Sequence, residues 1–138
     1  MLRLTKRPQF QLALAGKTLA KTPHFAWHCG AIDALASEPA ARSSDLLFPT
    51  QAIWLGAMVP KRWAKRAVTR NAIRRQIYSV AAEYAGGLVR AAHVVRLRAG
   101  YDAQQFPSAV STPLKLAVRD ELHALFGAVC SRSVRPAP

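Results

Sequence analysis

The sequence predicts an α+β domain in which helices pack on one small sheet. Three observations predict it. Residues 67–85 and 113–129 carry apolar side chains at helical spacing, and shorter stretches between and before them alternate in the manner of strands. The two kinds of segment are interleaved along the chain. Finally, 138 residues suffice for one modest core, and an apolar share of 51% argues against disorder.

Each element has its own justification. Residues 1–7 form a basic arm with Arg3, Lys6 and Arg7. Pro8 suits the first turn of a helix, where its missing N–H would be unpaired anyway. Phe10, Ala13 and Leu14 then share one face, and Gly16 is the stop. So short a helix is marginal alone and must dock on something. Residues 17–32 read as strand in two pieces, 18–21 and 24–29. In the second, Phe25 and Trp27 point to the core, while Ala26 and His28 lie on a face expected to be open. Residues 33–50, with Pro39, Pro49 and three of the seven acidic residues, are a loop expected to face away from any polyanion. Residues 51–59 form a strand, with Ile53, Leu55, Ala57 and Val59 alternating against Trp54 and Met58, and Pro60 ends it. A helix from about Ala67 to about Ala85 follows and stops at Gly86-Gly87. Residues 92–99 are a strand with Val95 and Leu97 on one side and Val94, Arg96 and Arg98 on the other. Residues 100–112 are loop. Pro113 opens a last helix whose Leu114, Val118, Leu122, Leu125 and Val129 form a core-covering stripe. The chain thus divides into one domain, residues 1–130, and a basic, Pro-rich tail, 131–138, expected to fray.

Charge points to the partner. The net charge is +13 and the pI near 11.1, which calls for a polyanion, either nucleic acid or an anionic membrane surface. The charge is concentrated in residues 60–75, PKRWAKRAVTRNAIRR, where seven of sixteen residues are cationic and none is acidic. In the helix that begins there, Ile73, Ile77, Val80 and Tyr84 make one apolar stripe. Asn71, Arg74, Arg75 and Tyr78 fall roughly opposite it, at about 100° per residue, with Arg70 on the shoulder. A merely solvated helix face mixes signs in i,i+4 pairs, and these cations have no such partners. Arginine is planar, permanently charged and bidentate towards phosphate. Lys61, Arg62, Lys65, Arg66, Arg70, Asn71, Arg74 and Arg75 are therefore the candidate nucleic-acid contacts. No apolar run approaches the roughly 18 residues of a spanning helix, and the N-terminus lacks the apolar stretch of a signal peptide. Cys29 and Cys130 have no metal-type spacing and read as reduced thiols of a cytoplasmic protein.

Catalytic chemistry is not legible. Hydrolysing a phosphodiester requires carboxylate-held metals or a paired acid and base. The carboxylates are scattered, no D-x-D or H-x-x-x-H spacing occurs, and His24 and His28, four residues apart on one strand, stand about 13 Å from each other. No glycine pattern makes a phosphate loop. The chain reads as a binder whose chemistry comes from a partner.

The residues around the basic helix resemble the protein subunit of bacterial ribonuclease P. That family carries a strand ending in a basic pair, then an R-N-R signature leading into a helix. Here the corresponding residues are Pro60-Lys61-Arg62, then Ala67-Val68-Thr69-Arg70-Asn71-Ala72-Ile73-Arg74-Arg75. Arg3-Leu4, Phe10, Thr22-Pro23-His24-Phe25, Gly56 and the Leu-rich last helix fit as well, so the resemblance spans about residues 3 to 130. It departs at Ala72, which stands at the third position of the signature, normally Arg. The resemblance implies a two-layer α-β-β-β-α-β-α sandwich with a small central sheet and a left-handed β-α-β crossover, as in domain 2 of ribosomal protein S5. It implies a partnership, as a monomer in a 1:1 complex, with a catalytic RNA that removes the 5′ leader of precursor tRNA. The Mg²⁺ ions would belong to that RNA, and the protein itself would hold no cofactor. It also implies a leader-binding cleft at Phe10, Leu14, Ala26 and His28, where Leu14 and His28 stand at positions aromatic in some relatives. A ribosomal or RNA-chaperone protein is the alternative that charge and size allow. A helix-turn-helix DNA binder fits poorly, because a strand and not a helix precedes the basic helix.

Overall fold

A computed structural model describes residues 1–32, 52–101 and 112–134. In chain order the elements are β1 (Leu2–Arg3), α1 (Arg7–Ala15), β2 (Lys17–Lys21), β3 (Phe25–Gly30), β4 (Trp54–Met58), α2 (Ala67–Glu83), a 3₁₀ turn (Ala85–Gly87), β5 (Ala92–Leu97) and α3 (Thr112–Val134). The five strands form one sheet in the order β1-β4-β5-β3-β2. β2, β3 and β5 pair antiparallel, whereas β4 pairs parallel with both β1 and β5. Helix α2 is thus the crossover between two neighbouring parallel strands.

The expected order of three helices and four strands is present, with two differences. The basic arm contributes a strand: Leu2 and Leu4 donate backbone N–H bonds to the carbonyls of Ile53 and Leu55, at 2.8 and 2.9 Å. This pairing covers an otherwise open edge of β4 and plugs Leu4 into the interior. At the other end, α3 runs on to Val134, past the expected domain end at residue 130. The loop expected at 33–50 lies outside the described residues, as do 102–111 of the loop expected at 100–112 and residues 135–138.

Alternation divides the core between the two faces of the sheet. Phe25, Trp27, Leu55, Ala57, Val95 and Leu97 face α2 and α3 and make the larger core with Ile73, Ile77, Val80, Leu114, Val118, Leu122, Leu125 and Phe126. The helical stripes read from the sequence face this core: all their members are buried except Tyr84 and Val129, which are half-buried against it, and Phe126 and Cys130 join the stripe of α3. The opposite face carries α1, with Leu4, Ala13, Ile32, Trp54, Ala92 and Val94 in a smaller core. Close approach there depends on glycine: a Cβ on Gly30 would lie 2.6 Å from the Leu12 carbonyl oxygen. Within α1, the buried Gln9 accepts backbone N–H bonds from Thr5 and Lys6 at 2.8 and 2.9 Å, which fastens the helix start.

Two polar knots hold these layers. In the larger core, the Trp27 indole N–H donates to His93 Nδ1 at 3.0 Å, and His93 Nε2 lies 2.8 Å from the Val89 carbonyl. The acceptor role of Nδ1 places the proton on Nε2, so the ring is neutral. Burial holds its pKa below the usual 6.5, against the opposing pull of the Val89 bond. At the β2–β3 turn, Glu121 of α3 accepts from the Thr22 hydroxyl, from the His24 backbone N–H at 2.7 Å and from the Tyr101 hydroxyl at 3.1 Å. The His24 ring, 2.8 Å from the same carboxylate, stacks on Tyr101 at 3.9 Å. Burial would raise the Glu121 pKa, but the hydrogen bonds from Thr22 and His24 outweigh it and hold the carboxyl below its usual range.

Candidate nucleic-acid interface

Helix α2 shows its two sides as the periodicity requires. Ile73, Ile77 and Val80 are buried, while Asn71, Arg74 and Arg75 are exposed. The helix has no acidic residue in its first turn and no side-chain N-cap, so the partial positive charge of its N-terminus adds to that of Lys65 and Arg66. The ion pairs among the described residues are Arg119–Glu83 at 2.6 Å, His123–Glu83 at 3.8 Å and His24–Glu121 at 2.8 Å. None involves a cation of residues 60–75. Their charge is thus left for an outside partner as far as the described residues go.

The cations of this stretch do different work. Lys61, Arg62, Lys65 and Arg66 are exposed on the turn before α2, with the Arg62 guanidinium 5.2 Å from the Trp63 ring. Arg70 is half-buried and donates from one guanidinium nitrogen to the carbonyls of Ala64 and Lys65, at 3.0 and 2.9 Å. It ties that turn to the helix and so positions the cations on it. Arg74 donates to Asn71 Oδ1 at 3.1 Å, and Arg75 stands beside them. Two hollows flank the Asn71–Arg75 ridge. The larger, about 470 Å³, lies between α2 and β1 and is lined by Arg3, Asn71, Arg74, Arg75, Tyr78 and Ser79. The other, about 330 Å³, is bounded by Val68, Asn71, Ala72, Arg75, Gln76 and Lys115.

Arg3 and Lys115 belong to this surface although sequence reasoning did not join them to it. Arg3 sits 4.0 Å from the centroid of the Tyr78 ring, which β1 alone makes possible. Its place in a basic arm was a signal, but the parallel pairing that delivers it was not. Lys115 comes from α3, more than a hundred residues after Arg3, and nothing local to it marks the site.

The second predicted group lies on the face of the sheet that carries α1. Phe10 and Leu14 are half-buried at the rim of the smaller core. The Phe10 ring covers Gly56, where a Cβ would collide with it. Ala26 and His28 correct the expectation of an open face: Ala26 is 0% and His28 7% exposed. Their strand lies inside the sheet, between β2 and β5, and α1 packs across it. His28 is also satisfied within the protein. Arg96 donates to His28 Nε2 at 2.9 Å, which leaves the proton on Nδ1, 3.1 Å from the Thr18 hydroxyl. Burial first, then the charges of Arg96 and Lys21, lower its pKa and keep the ring neutral. The sheet face that carries α1 thus holds a Thr18–His28–Arg96 chain, and Phe10 and Leu14 of that helix are half-buried. Arg98, exposed near the same end of the sheet, donates to the Thr22 carbonyl at 2.8 Å.

Among the described residues no group of three or more His, Cys, Asp or Glu side chains could hold a metal ion. Nor is any of their helices long and apolar enough to cross a membrane. Cys29 and Cys130 are free thiols, one half-buried and one buried.

Comparison with known proteins bears on the family and the fold. The family described as Ribonuclease P matches residues 1–132. The ribonuclease P protein component of Bordetella parapertussis is 33% identical over 124 residues, 90% of this chain and 88% of that protein. The corresponding component of Paraburkholderia xenovorans is 37% identical over 75 residues, a match spanning about half the length of each, 51% in both cases. In three dimensions the RNase P protein of Staphylococcus aureus superposes with a TM-score of 0.62 at 18% identity, covering 93% of this chain and 94% of that one. At that identity the superposition speaks for the fold, and the mixed sheet with its three helices is the fold of those structures. Sequence match over nearly the whole chain and shared architecture together place this protein in the ribonuclease P protein family.

Proposed function

We propose that this chain is the protein subunit of ribonuclease P, which binds the catalytic RNA and grips the 5′ leader of precursor tRNA during its endonucleolytic removal. The RNA-binding surface is the outer face of α2 with the turn before it: Lys61, Arg62, Lys65, Arg66, Asn71, Arg74 and Arg75, with Arg70 holding the turn in place and Arg3 adding to its edge. The leader runs along the rim formed by Phe10 and Leu14, above the floor of His28 and Arg96. Bond cleavage and its Mg²⁺ ions belong to the RNA. The protein acts in the cytoplasm as a single copy per RNA.

The observation that carries this reading is the absence, among the described residues, of any ion pair to the cations of residues 60–75. A phosphate backbone supplies the missing anions, and helix-borne arginines can meet it bidentately. The test is reconstitution. Purified protein added to its cognate ribonuclease P RNA should cleave precursor tRNA faster at low Mg²⁺ than the RNA alone, and should favour precursor over mature tRNA. Equal rates with and without the protein would end the proposal, and binding without preference for precursor would leave only a general RNA-binding role.

A further inference from the structure

The hollow of about 330 Å³ between α2 and α3 has a lining unlike that of a simple phosphate site. One part is apolar: Ala72 is too small to fill the space, and Val68 is left 55% exposed beside it. The rest is Asn71, Arg75, Gln76 and Lys115. The two amides are oriented by neighbouring arginines. Arg74 donates to Asn71 Oδ1 at 3.1 Å, and Arg119 donates to Gln76 Oε1 at 3.4 Å. With their oxygens so engaged, both side chains have NH₂ donors to offer. Arginine and lysine have donors only. The polar part of the hollow therefore presents donors, and it calls for a ligand rich in acceptors.

Phosphate satisfies donors but gains nothing from an apolar wall. A nucleobase gains from both, since its face packs on apolar groups while its edge is read by hydrogen bonds. Among the bases, guanine offers N7 and O6 as two adjacent acceptors on an edge without a donor, whereas adenine places its N6 donor there. The volume lies at the lower end of the range of about 300–1,000 Å³ for small-ligand pockets, which suits a single base.

We propose that the hollow bounded by Val68, Ala72, Gln76 and Lys115 receives one unstacked guanine of the RNA partner, read on its N7/O6 edge. The inference rests on the assignment of the α2 face to RNA and adds a base-specific subsite to it. Phosphate contacts along α2 supply affinity, and this subsite fixes register on the folded RNA.

The full-length protein allows a direct test by NMR titration of its side-chain amides. Guanosine monophosphate should shift the Asn71 and Gln76 NH₂ signals and bind about tenfold more tightly than adenosine monophosphate or inorganic phosphate. The analogue 7-deazaguanosine monophosphate should lose that advantage. Ala72→Arg fills the hollow and should abolish the guanine preference, and Lys115→Ala, on the other helix, should weaken it. Equal binding of guanosine monophosphate, adenosine monophosphate and phosphate would reduce the hollow to an anion site and overturn the proposal. So would the absence of any shift up to about 10 mM nucleotide, far weaker than a useful subsite. The parent reading is judged separately by affinity for intact ribonuclease P RNA. Wild type that binds this RNA without discriminating the nucleotides refutes the guanine subsite alone. Wild type that does not bind the RNA refutes both.

Discussion

The outer face of α2 and the face of the sheet beneath α1 both place cations near apolar surface, yet they end in opposite states. On α2, Arg74 and Arg75 are exposed and have no carboxylate among the described residues. Under α1, Arg96 is half-buried and hydrogen-bonded to His28, which in turn meets Thr18. The first surface has its polar capacity still to be used. The second has mostly used it internally, and Phe10 and Leu14 beside it are half-buried. The difference shows why cation count alone does not locate a binding surface. A charge counts towards an external polyanion when the fold withholds internal partners from it.

The sharpest way to break this comparison is to remove the exposed cations. Arg74→Ala combined with Arg75→Ala should lower affinity for ribonuclease P RNA by about a hundredfold or more, if each charge-assisted contact contributes at least about 1.5 kcal/mol. It should also lessen the slope of log affinity against log salt by about 0.7–0.9 for each phosphate that is no longer neutralised. Thermal stability should be unchanged. An unaltered slope, measured by filter binding across a salt series, would mean that the face meets only water.

The sheet face should respond in the reverse way. His28→Ala deprives Arg96 Nε and the Thr18 hydroxyl of a partner in a mostly buried site, so stability should fall by about 1–3 kcal/mol in urea unfolding. Its effect on affinity for the RNA should be small. A stability loss below what a surface substitution causes would show that the Thr18–His28–Arg96 chain is only loosely held. Phe10→Ala should weaken binding of leader-bearing tRNA while sparing mature tRNA. Equal losses for both would make Phe10 a packing residue only.

Acid should separate the faces as well. His28 and His93 both have folded-state pKa values below the ordinary 6.5. The unfolded chain therefore takes up protons first as pH falls. The stability these two rings contribute is fully present above 6.5 and is lost as pH drops from there through their lowered folded values. The urea midpoint should accordingly fall between about pH 7.5 and 5.5, and replacing His93 with Gln should flatten that dependence. The smallest effect is expected at Arg70. Arg70→Lys keeps the charge but not the two-carbonyl grip, so RNA affinity should fall by only a fewfold, through loosening of the turn that bears Lys61 to Arg66. A loss as large as that of the Arg74 and Arg75 pair would make Arg70 a direct contact.

Much of this was legible in the chain and some was not, and the division follows range. The two apolar stripes, the opposing Asn71–Arg75 face and the inward Phe25 and Trp27 are consequences of a helical or strand repeat acting on neighbours in sequence. Pro60 ended its strand where local backbone chemistry says it should, whereas Gly16 closes α1 at an ordinary φ of −79° and makes room for the Cys29 carbonyl oxygen, with which a Cβ would collide. His28 and Ala26 misled because alternation says which residues share a side and nothing about what covers it. The tie made by Arg70 was not legible, because its angular position does not disclose the carbonyls of Ala64 and Lys65 that receive it.

By itself the sequence determined the interleaved helices and strands, the segregation of charge to one segment, and the family signature that runs through it. These depend on the order of side chains and on repeats of a few residues. Only the tertiary structure decided that Arg3 reaches Tyr78, that Lys115 shares a hollow with Arg75, and that His28 is spent on Arg96 and Thr18. Those outcomes depend on which distant segments pack together, and a polar group is left for a partner only where that packing fails to satisfy it.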